Sequence, residues 1–373
     1  MRAARPTSFA AFLIAAALHA APAQADLVVG QTAGLTGPVS ASVNDLSNGA
    51  KLYLDAVNRR GGVHGQKIRL VQLDDKFDPK LAAANAAQLI REQQPIALFL
   101  TRATPHTQAI LPLLAQHRIP LVAPSTGAMV FHEPVNPYVF NVRAPYQRES
   151  ERAIVHLGTI GLTRIAVLRV DDSFGADAAI GARTGFAAIK QEPVVVETFN
   201  RAKPDFGPAV GKLVAANTQA VLFVGSAKAV ADGTAALRAA GSRAQVVTLS
   251  NNASGSFADL MGQHARGTIV MQVFPNERSM AAPLVKEAVD LAVAKGLDGV
   301  SPAMVEGFAA AKVLVEGLQR AGANPTRERL IAALNTMNKV DLGGMDLGFS
   351  PTDHTGLEYV DLSIIGRDGR FMR

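Results

Sequence analysis

One pattern limits the folds open to this chain. From residue 27 to residue 273, apolar runs of four to six residues alternate with amphipathic stretches of about a dozen. The apolar runs fall at 27–31, 68–73, 96–100, 119–123 and 138–142, then again at 165–170, 194–199, 220–224, 246–249 and 268–273. Helical patterning occupies 45–59, 79–92, 107–117, 147–157, 174–190, 206–216 and 229–240 between them. Strands that alternate with helices make βαβ units and parallel sheets, so the chain is expected to be α/β, with two such series of about 120 residues each. The punctuation agrees. Gly61-Gly62 and Gly241 follow helices as stops, and Asp78-Pro79 and Pro325-Thr326 precede helices as caps with a proline. Helices at 282–295, 302–320 and 327–334 follow the second series, and the tail from Gly343 reads as strands around turns.

The length of 373 residues suits about two domains. Residues 1–25 stand apart. Arg2 and Arg5 precede an apolar stretch from Phe9 to Leu18, and Ala23-Gln24-Ala25 has the form of a cleavage site. This predicts a signal peptide cut after Ala25, a mature start at Asp26 and a periplasmic protein. No later stretch is long and apolar enough to predict a membrane helix. Removing Arg2 and Arg5 lowers the formal charge from +6 to +4. That charge is spread along the chain, with no basic patch interleaved with aromatics, so nucleic acid is not an expected partner. The chain has no cysteine, which excludes thiolate catalysis, thiolate metal sites and disulfides.

The stretch "LVAPSTGAMVF" at 121–131 raises the functional question. An apolar run ends abruptly in Pro124-Ser125-Thr126-Gly127. One reading is a strand-to-helix turn with Ser125 or Thr126 as N-cap. The other is a ligand seat at the carboxyl end of a strand, where open α/β sheets bind their ligands.

A wider likeness bears on that choice. The segment 34–90 carries Gly37-Pro38, an Asn48-Gly49-Ala50 helix start, Asn58 with Gly61-Gly62 and Gly65, and Asp74-Asp75 before Asp78-Pro79. It resembles the N-terminal part of the leucine/isoleucine/valine-type binding proteins of ABC importers, and "IPLVAPSTGA", "YVFNVRAPY" and "VLRVDDSFG" resemble the segments that follow. The resemblance implies a type I periplasmic binding protein fold: two doubly wound, Rossmann-like lobes joined by hinge crossovers, with ligand in the cleft. It assigns 26–143 plus 274–345 to the N-terminal lobe, and 144–273 plus 346–373 to the C-terminal lobe. It also implies a small-molecule ligand, the membrane permease of an ABC importer as partner, a monomer, and no cofactor.

Residue by residue, the resemblance implies that Thr104 offers a hydroxyl to a ligand carboxylate, that the Ser125, Thr126, Gly127 loop offers a backbone carbonyl at Ser125 and a backbone N–H at Gly127, and that Ser42 belongs to the same ligand-binding set. Gly127 stands where the family has a hydroxyl residue. Phe174 matches the aromatic over the ligand, Ser226 replaces a usual tyrosine, and Asn251 replaces the acid that pairs with the ligand ammonium. An amide hydrogen-bonds but does not neutralise charge, so these departures count against a standard α-amino acid. Arg102, two residues before Thr104, is either an anchor for an organic acid or a solvated rim arginine. Arg143 is read as structural, near the hinge. The family's disulfide would join the positions of Phe77 and Ala103.

Other constellations are weak. No histidine pair has zinc-like spacing, no nucleophile elbow or phosphate loop is present, and His106 is expected as polar lining. Asp74 and Asp75 are adjacent on a strand end and so point to opposite sides, which predicts surface and capping roles. The expected function is solute capture for an ABC importer, with a ligand sensor on the same fold as the alternative. An exported enzyme is disfavoured by the missing catalytic set.

Overall fold

The structure is a computed structural model that describes residues 25–373. Residues 1–24 of the expected leader at 1–25, and its processing, lie outside the described residues. The first series runs β1 (Leu27–Ala33), α1 (Ser40–Arg59), β2 (Ile68–Asp74), α2 (Pro79–Gln93), β3 (Ala97–Phe99), α3 (Thr104–His117), β4 (Leu121–Val122) and β5 (Val139–Phe140). Its strands are parallel, in the order β2-β1-β3-β4-β5. After a crossover at 141–145 the pattern repeats with α4 (Tyr146–Thr159), β6 (Ile165–Val170), α5 (Ser173–Ala188), β7 (Val196–Phe199), α6 (Gly207–Ala215), β8 (Ala220–Val224), α7 (Ala227–Ala239), β9 (Gln245–Thr248), α8 (Gly255–Met261) and β10 (Ile269–Gln272). The parallel part of this second sheet is ordered β7-β6-β8-β9-β10, the same winding as the first.

The chain then returns to cover the first sheet with α9 (Pro283–Val293), α10 (Pro302–Arg320) and α11 (Arg327–Asn335). A short hairpin follows, β11 (Val340–Asp341) with β12 (Asp346–Leu347). β13 (Asp361–Ile365) and β14 (Phe371–Met372) extend the second sheet, with β13 antiparallel to β10. Leu347, Phe349 and Leu357 still belong to the first lobe's core.

Two helix starts differ from the sequence reading by three residues or more. α1 begins at Ser40 rather than 45, so Asn48-Gly49-Ala50 is mid-helix and not a helix start. Gly37, at φ 83, turns the chain, and Ser40 N–H and Val43 N–H close the first turn on Gly37 and Val39 carbonyls. Gly49 is there for packing: a Cβ on it would lie 2.0 Å from the Met304 carbonyl oxygen of α10. Similarly α3 starts at Thr104, not 107, with Pro105 in its first turn.

Candidate functional site

In this winding the strand order reverses between β1 and β3 in one sheet and between β6 and β8 in the other, and ligands of open α/β sheets bind outside the carboxyl strand ends at such points. The loops there converge. Ser42 follows β1, Phe77 follows β2, and Arg102 and Thr104 follow β3. From the other sheet come Phe174 after β6, Arg201 after β7, Ser226 after β8 and Asn251 after β9. Tyr146, the first residue of α4, joins them around one enclosed space of about 20 Å³, room for one or two waters. A larger groove of about 840 Å³, lined by Arg91, His117 and Arg327, lies at the amino end of β3, away from the switch points.

The backbone at these strand ends is held in unusual conformations. Lys76, Phe77, Leu100, Ala103 and Ala123 all have φ between 50° and 71°. None is glycine, and such residues collect at ligand clamps, where surrounding structure holds them. Four helices also begin at the cavity: α1, α3, α5 and α7 each contribute a lining residue from their first turn or cap. Helix N-termini carry partial positive charge and free N–H groups, which favours an anion.

Thr104 is buried, and its hydroxyl lies 2.8 Å from the Thr126 hydroxyl. Accepting from Thr126 leaves Thr104 its own proton to donate to a ligand oxygen. Arg102 is 7% exposed and lines the cavity, so it is no solvated rim residue. It donates to the Ser125 hydroxyl at 2.7 Å and, across the cleft, to the Asn251 carbonyl at 2.7 Å.

The loop 124–127 differs from both of its sequence readings. No α-helix follows it, so neither Ser125 nor Thr126 is a helix N-cap. Ser125 N–H is spent on the Thr101 carbonyl at 2.7 Å, and Ser125, Thr126 and Gly127 stand behind the cavity wall rather than on it. Gly127 is required by packing. A Cβ there would lie 2.5 Å from the Ala144 carbonyl oxygen, and its own carbonyl accepts from Tyr146 N–H at 2.7 Å. The crossover fills the space a hydroxyl side chain would need.

On the second lobe, Asp172 caps α5 by accepting from Phe174 N–H and Gly175 N–H, and it also pairs with Arg201. The Arg201 guanidinium lies 5.2 Å over the Phe77 ring of the first lobe. Phe77 in turn stacks on His106 at 4.6 Å. His106 is therefore behind the lining, not in it. Burial lowers its pKa to about 4, so it is neutral at pH 7. Asp75, expected at the surface, is buried beneath this loop, where it accepts from Phe77 N–H at 2.9 Å. Burial pushes its carboxyl up to about 6. Asp74 caps as expected, accepting from Leu35, Thr36 and Lys76 N–H groups. Ser226 caps α7, and Asn251 donates to the Gly225 carbonyl at 2.9 Å while its own side-chain oxygen has no partner.

Behind the cavity a buried charge cluster joins the lobes. Ser125 donates to Glu306 at 2.7 Å, and Arg143 lies 3.9 Å from the same carboxylate. Arg143 also pairs with Glu149, donates to the Ser250 hydroxyl at 2.6 Å and sits 4.6 Å over the Tyr146 ring. Burial alone would lower the guanidinium's pKa. Its ring and acid neighbours outweigh that and hold it above its ordinary value. Burial pushes the Glu149 carboxyl up, against the pull of Arg143.

Thus Ser42, Arg102, Thr104, Phe174, Ser226 and Asn251 come together, while Ser125, Thr126 and Gly127 support them from behind. Sequence reasoning missed Arg201, Tyr146 and Phe77 as lining residues. The rule that would have found Arg201 is positional, since it lies two residues past the carboxyl end of β7. Every side chain on the lining that is charged at pH 7 is an arginine, and no lining residue is acidic. Among the described residues no cluster of three or more His, Asp or Glu could hold a metal, and no helix is long and apolar enough to cross a membrane.

A two-lobed α/β molecule whose paired switch points share one enclosed cleft is built to bind a small solute between its lobes. The chain belongs to the periplasmic binding protein family, whose sequence model matches residues 26–368. It is 25% identical over 342 residues to a Leu/Ile/Val-binding protein homolog of Brucella melitensis, covering 89% of each chain. It is 22% identical over 296 residues to the Leu/Ile/Val-binding protein of Escherichia coli, covering 79% of this chain and 80% of that one. Among solved structures, a substrate-binding periplasmic protein from Ralstonia solanacearum is 34% identical with a TM-score of 0.85, covering 93% of this chain and 99% of the other. An extracellular ligand-binding receptor from Verminephrobacter eiseniae is 27% identical with a TM-score of 0.81, covering 93% and 100%. The fold is the type I periplasmic binding protein fold, and the chain is a solute-binding protein rather than an enzyme.

Proposed function

We propose that this protein is exported, captures a small organic carboxylate between its lobes, and delivers it to the permease of an ABC importer. The lobes are taken as 26–143 with 274 to at least Leu357, and 144–273 with the C-terminal strands β13 and β14. The observation that carries the ligand class is the lining: two arginines, Thr104, four helix starts and no acid. A carboxylate is met by charge-assisted donors there. An α-ammonium would face Asn251, whose amide oxygen accepts a hydrogen bond but leaves the desolvated charge uncompensated. The names of the Leu/Ile/Val-binding relatives support the amino-acid side of the class, and this chain's Asn251 supports the acid without an amine. The enclosed space is too small for such a ligand, so entry requires the lobes to part about the crossovers.

A thermal-shift screen of amino acids, amides and aliphatic and aromatic carboxylates tests this. A ligand at a hundredfold over its Kd stabilises by about 2.7 kcal/mol. The expected result is an upward shift by carboxylates, and a screen in which only compounds bearing an α-ammonium shift the transition would contradict the ligand class. Export is checked separately by N-terminal sequencing of the periplasmic fraction, with Asp26 expected and Met1 contradicting it.

A further inference from the structure

Arg201 is the part of the cleft that the expected amino-acid chemistry leaves without a use. It follows the second strand of the second lobe, lines the same cavity as Arg102, and reaches it from the opposite lobe. Its position is fixed on both sides. Nε donates to the Asp172 carboxylate, which is itself anchored by Phe174 N–H at 3.0 Å and Gly175 N–H at 3.2 Å. The face of the guanidinium lies 5.2 Å over Phe77, across the cleft. Phe77 is braced by His106 at 4.6 Å. An arginine offers five N–H groups in a planar fork, and among the described residues Arg201 hydrogen-bonds to Asp172 alone. Arg102 likewise spends two of its five on Ser125 and Asn251. Each lobe therefore brings a guanidinium with uncommitted donors to one small space, with no lining carboxylate between them.

From this we infer that Arg201 is a specificity-determining residue and that the ligand is a dicarboxylate, one end held by Arg102 and Thr104 on the first lobe and the other by Arg201 on the second. The inference rests on the proposed carboxylate function and deepens it. Asp172 does not defeat it. That carboxylate already serves two backbone N–H groups at the start of α5, and it lies outside the cavity lining, so it orients Arg201 without occupying the ligand's place. A ligand bound at both ends also draws the lobes together, because its two anchors lie on different lobes.

The test is calorimetry with matched mono- and dicarboxylates of four to eight carbons, on the wild-type protein, Arg201→Gln and Thr104→Val. The wild type is expected to bind its best dicarboxylate at least about tenfold tighter than the monocarboxylate of equal length, as for an added charge-assisted contact. Arg201→Gln should bring that ratio to about one, the dicarboxylate losing more affinity than the monocarboxylate. Thr104→Val should weaken both members of a pair equally and leave the ratio unchanged. A wild-type ratio near one, or a ratio that survives Arg201→Gln, overturns the dicarboxylate assignment and leaves the carboxylate function standing. Binding of amino acids alone, or of none of these compounds, overturns both. Circular dichroism of Arg201→Gln matching the wild type assigns a lost ratio to recognition rather than to misfolding.

Discussion

The buried residues near the cleft divide into those that hold the lobes and those that line the cavity. Arg143, 1% exposed, belongs to the first kind, with Glu149, Glu306, Ser250 and Tyr146 as its partners. Removing one partner from a buried ionic cluster leaves the others uncompensated, so Arg143→Met is expected to destabilise by about 3–5 kcal/mol in urea unfolding. A loss below about 1 kcal/mol would place this cluster among the weakly contributing pairs. Asp75 gives a pH signature. Its folded pKa is about 6, above the ordinary 3.8, so burying its charge opposes folding above pH 6, and the penalty disappears as pH falls toward 3.8. Asp75→Asn keeps an acceptor for Phe77 N–H and should stabilise the protein more at pH 7 than at pH 4.5 in parallel denaturation curves. An equal effect at both pH values would contradict the burial of that charge. Neither role was legible in the sequence. Asp75 follows a strand end like any surface acid, and its burial comes from Thr32 and the Phe77 loop closing over it.

At the scale of elements, the alternation of apolar and amphipathic segments predicted both sheets because their central strands are buried on both faces, as in β8, every residue of which is buried. Edge strand β7 begins two residues later than expected, although Val194 N–H and the Val195 carbonyl already bond to β6. Helix starts were less legible, because α1 and α3 begin on backbone bonds and a proline without a capping side chain. The contact of α1 with α10 depends on glycine from both sides. A Cβ on Gly307 would lie 1.8 Å from the Leu46 carbonyl oxygen, while one on Gly211 in α6 would meet nothing within 4 Å. Gly307→Ala should therefore destabilise by about 1–3 kcal/mol or more through overpacking. Gly211→Ala should stabilise by about 0.5–1 kcal/mol through the better helix propensity of alanine. Thermal unfolding of the two variants separates these effects, and equal shifts would contradict the close crossing.

For the whole molecule, the repeated winding explains why one cleft collects residues from nearly every strand end, and why periodicity alone could not name them. Periodicity reports which residues are buried in sheets and helices. The lining comes from loops whose positions depend on how two sheets face each other, and so Arg201, in the polar loop after β7, carried no sequence signal of its own. The resemblance to the family located Thr104, Phe174, Ser226 and Asn251, and the departures at Ser226 and Asn251 now stand on the lining itself. The cross-cleft contacts of Arg102 with the Asn251 carbonyl and of Ser173 with Gln108 at 2.6 Å belong to a closed arrangement. Solution scattering should show a smaller radius of gyration with saturating ligand than without, and identical curves would contradict hinge closure. The most direct measurement is calorimetry on leucine and 4-methylpentanoate, which differ only by the α-ammonium. With Asn251 in place of an acid and two arginines on the lining, 4-methylpentanoate is expected to bind at least as tightly as leucine; micromolar leucine binding with no detectable binding of 4-methylpentanoate would contradict it.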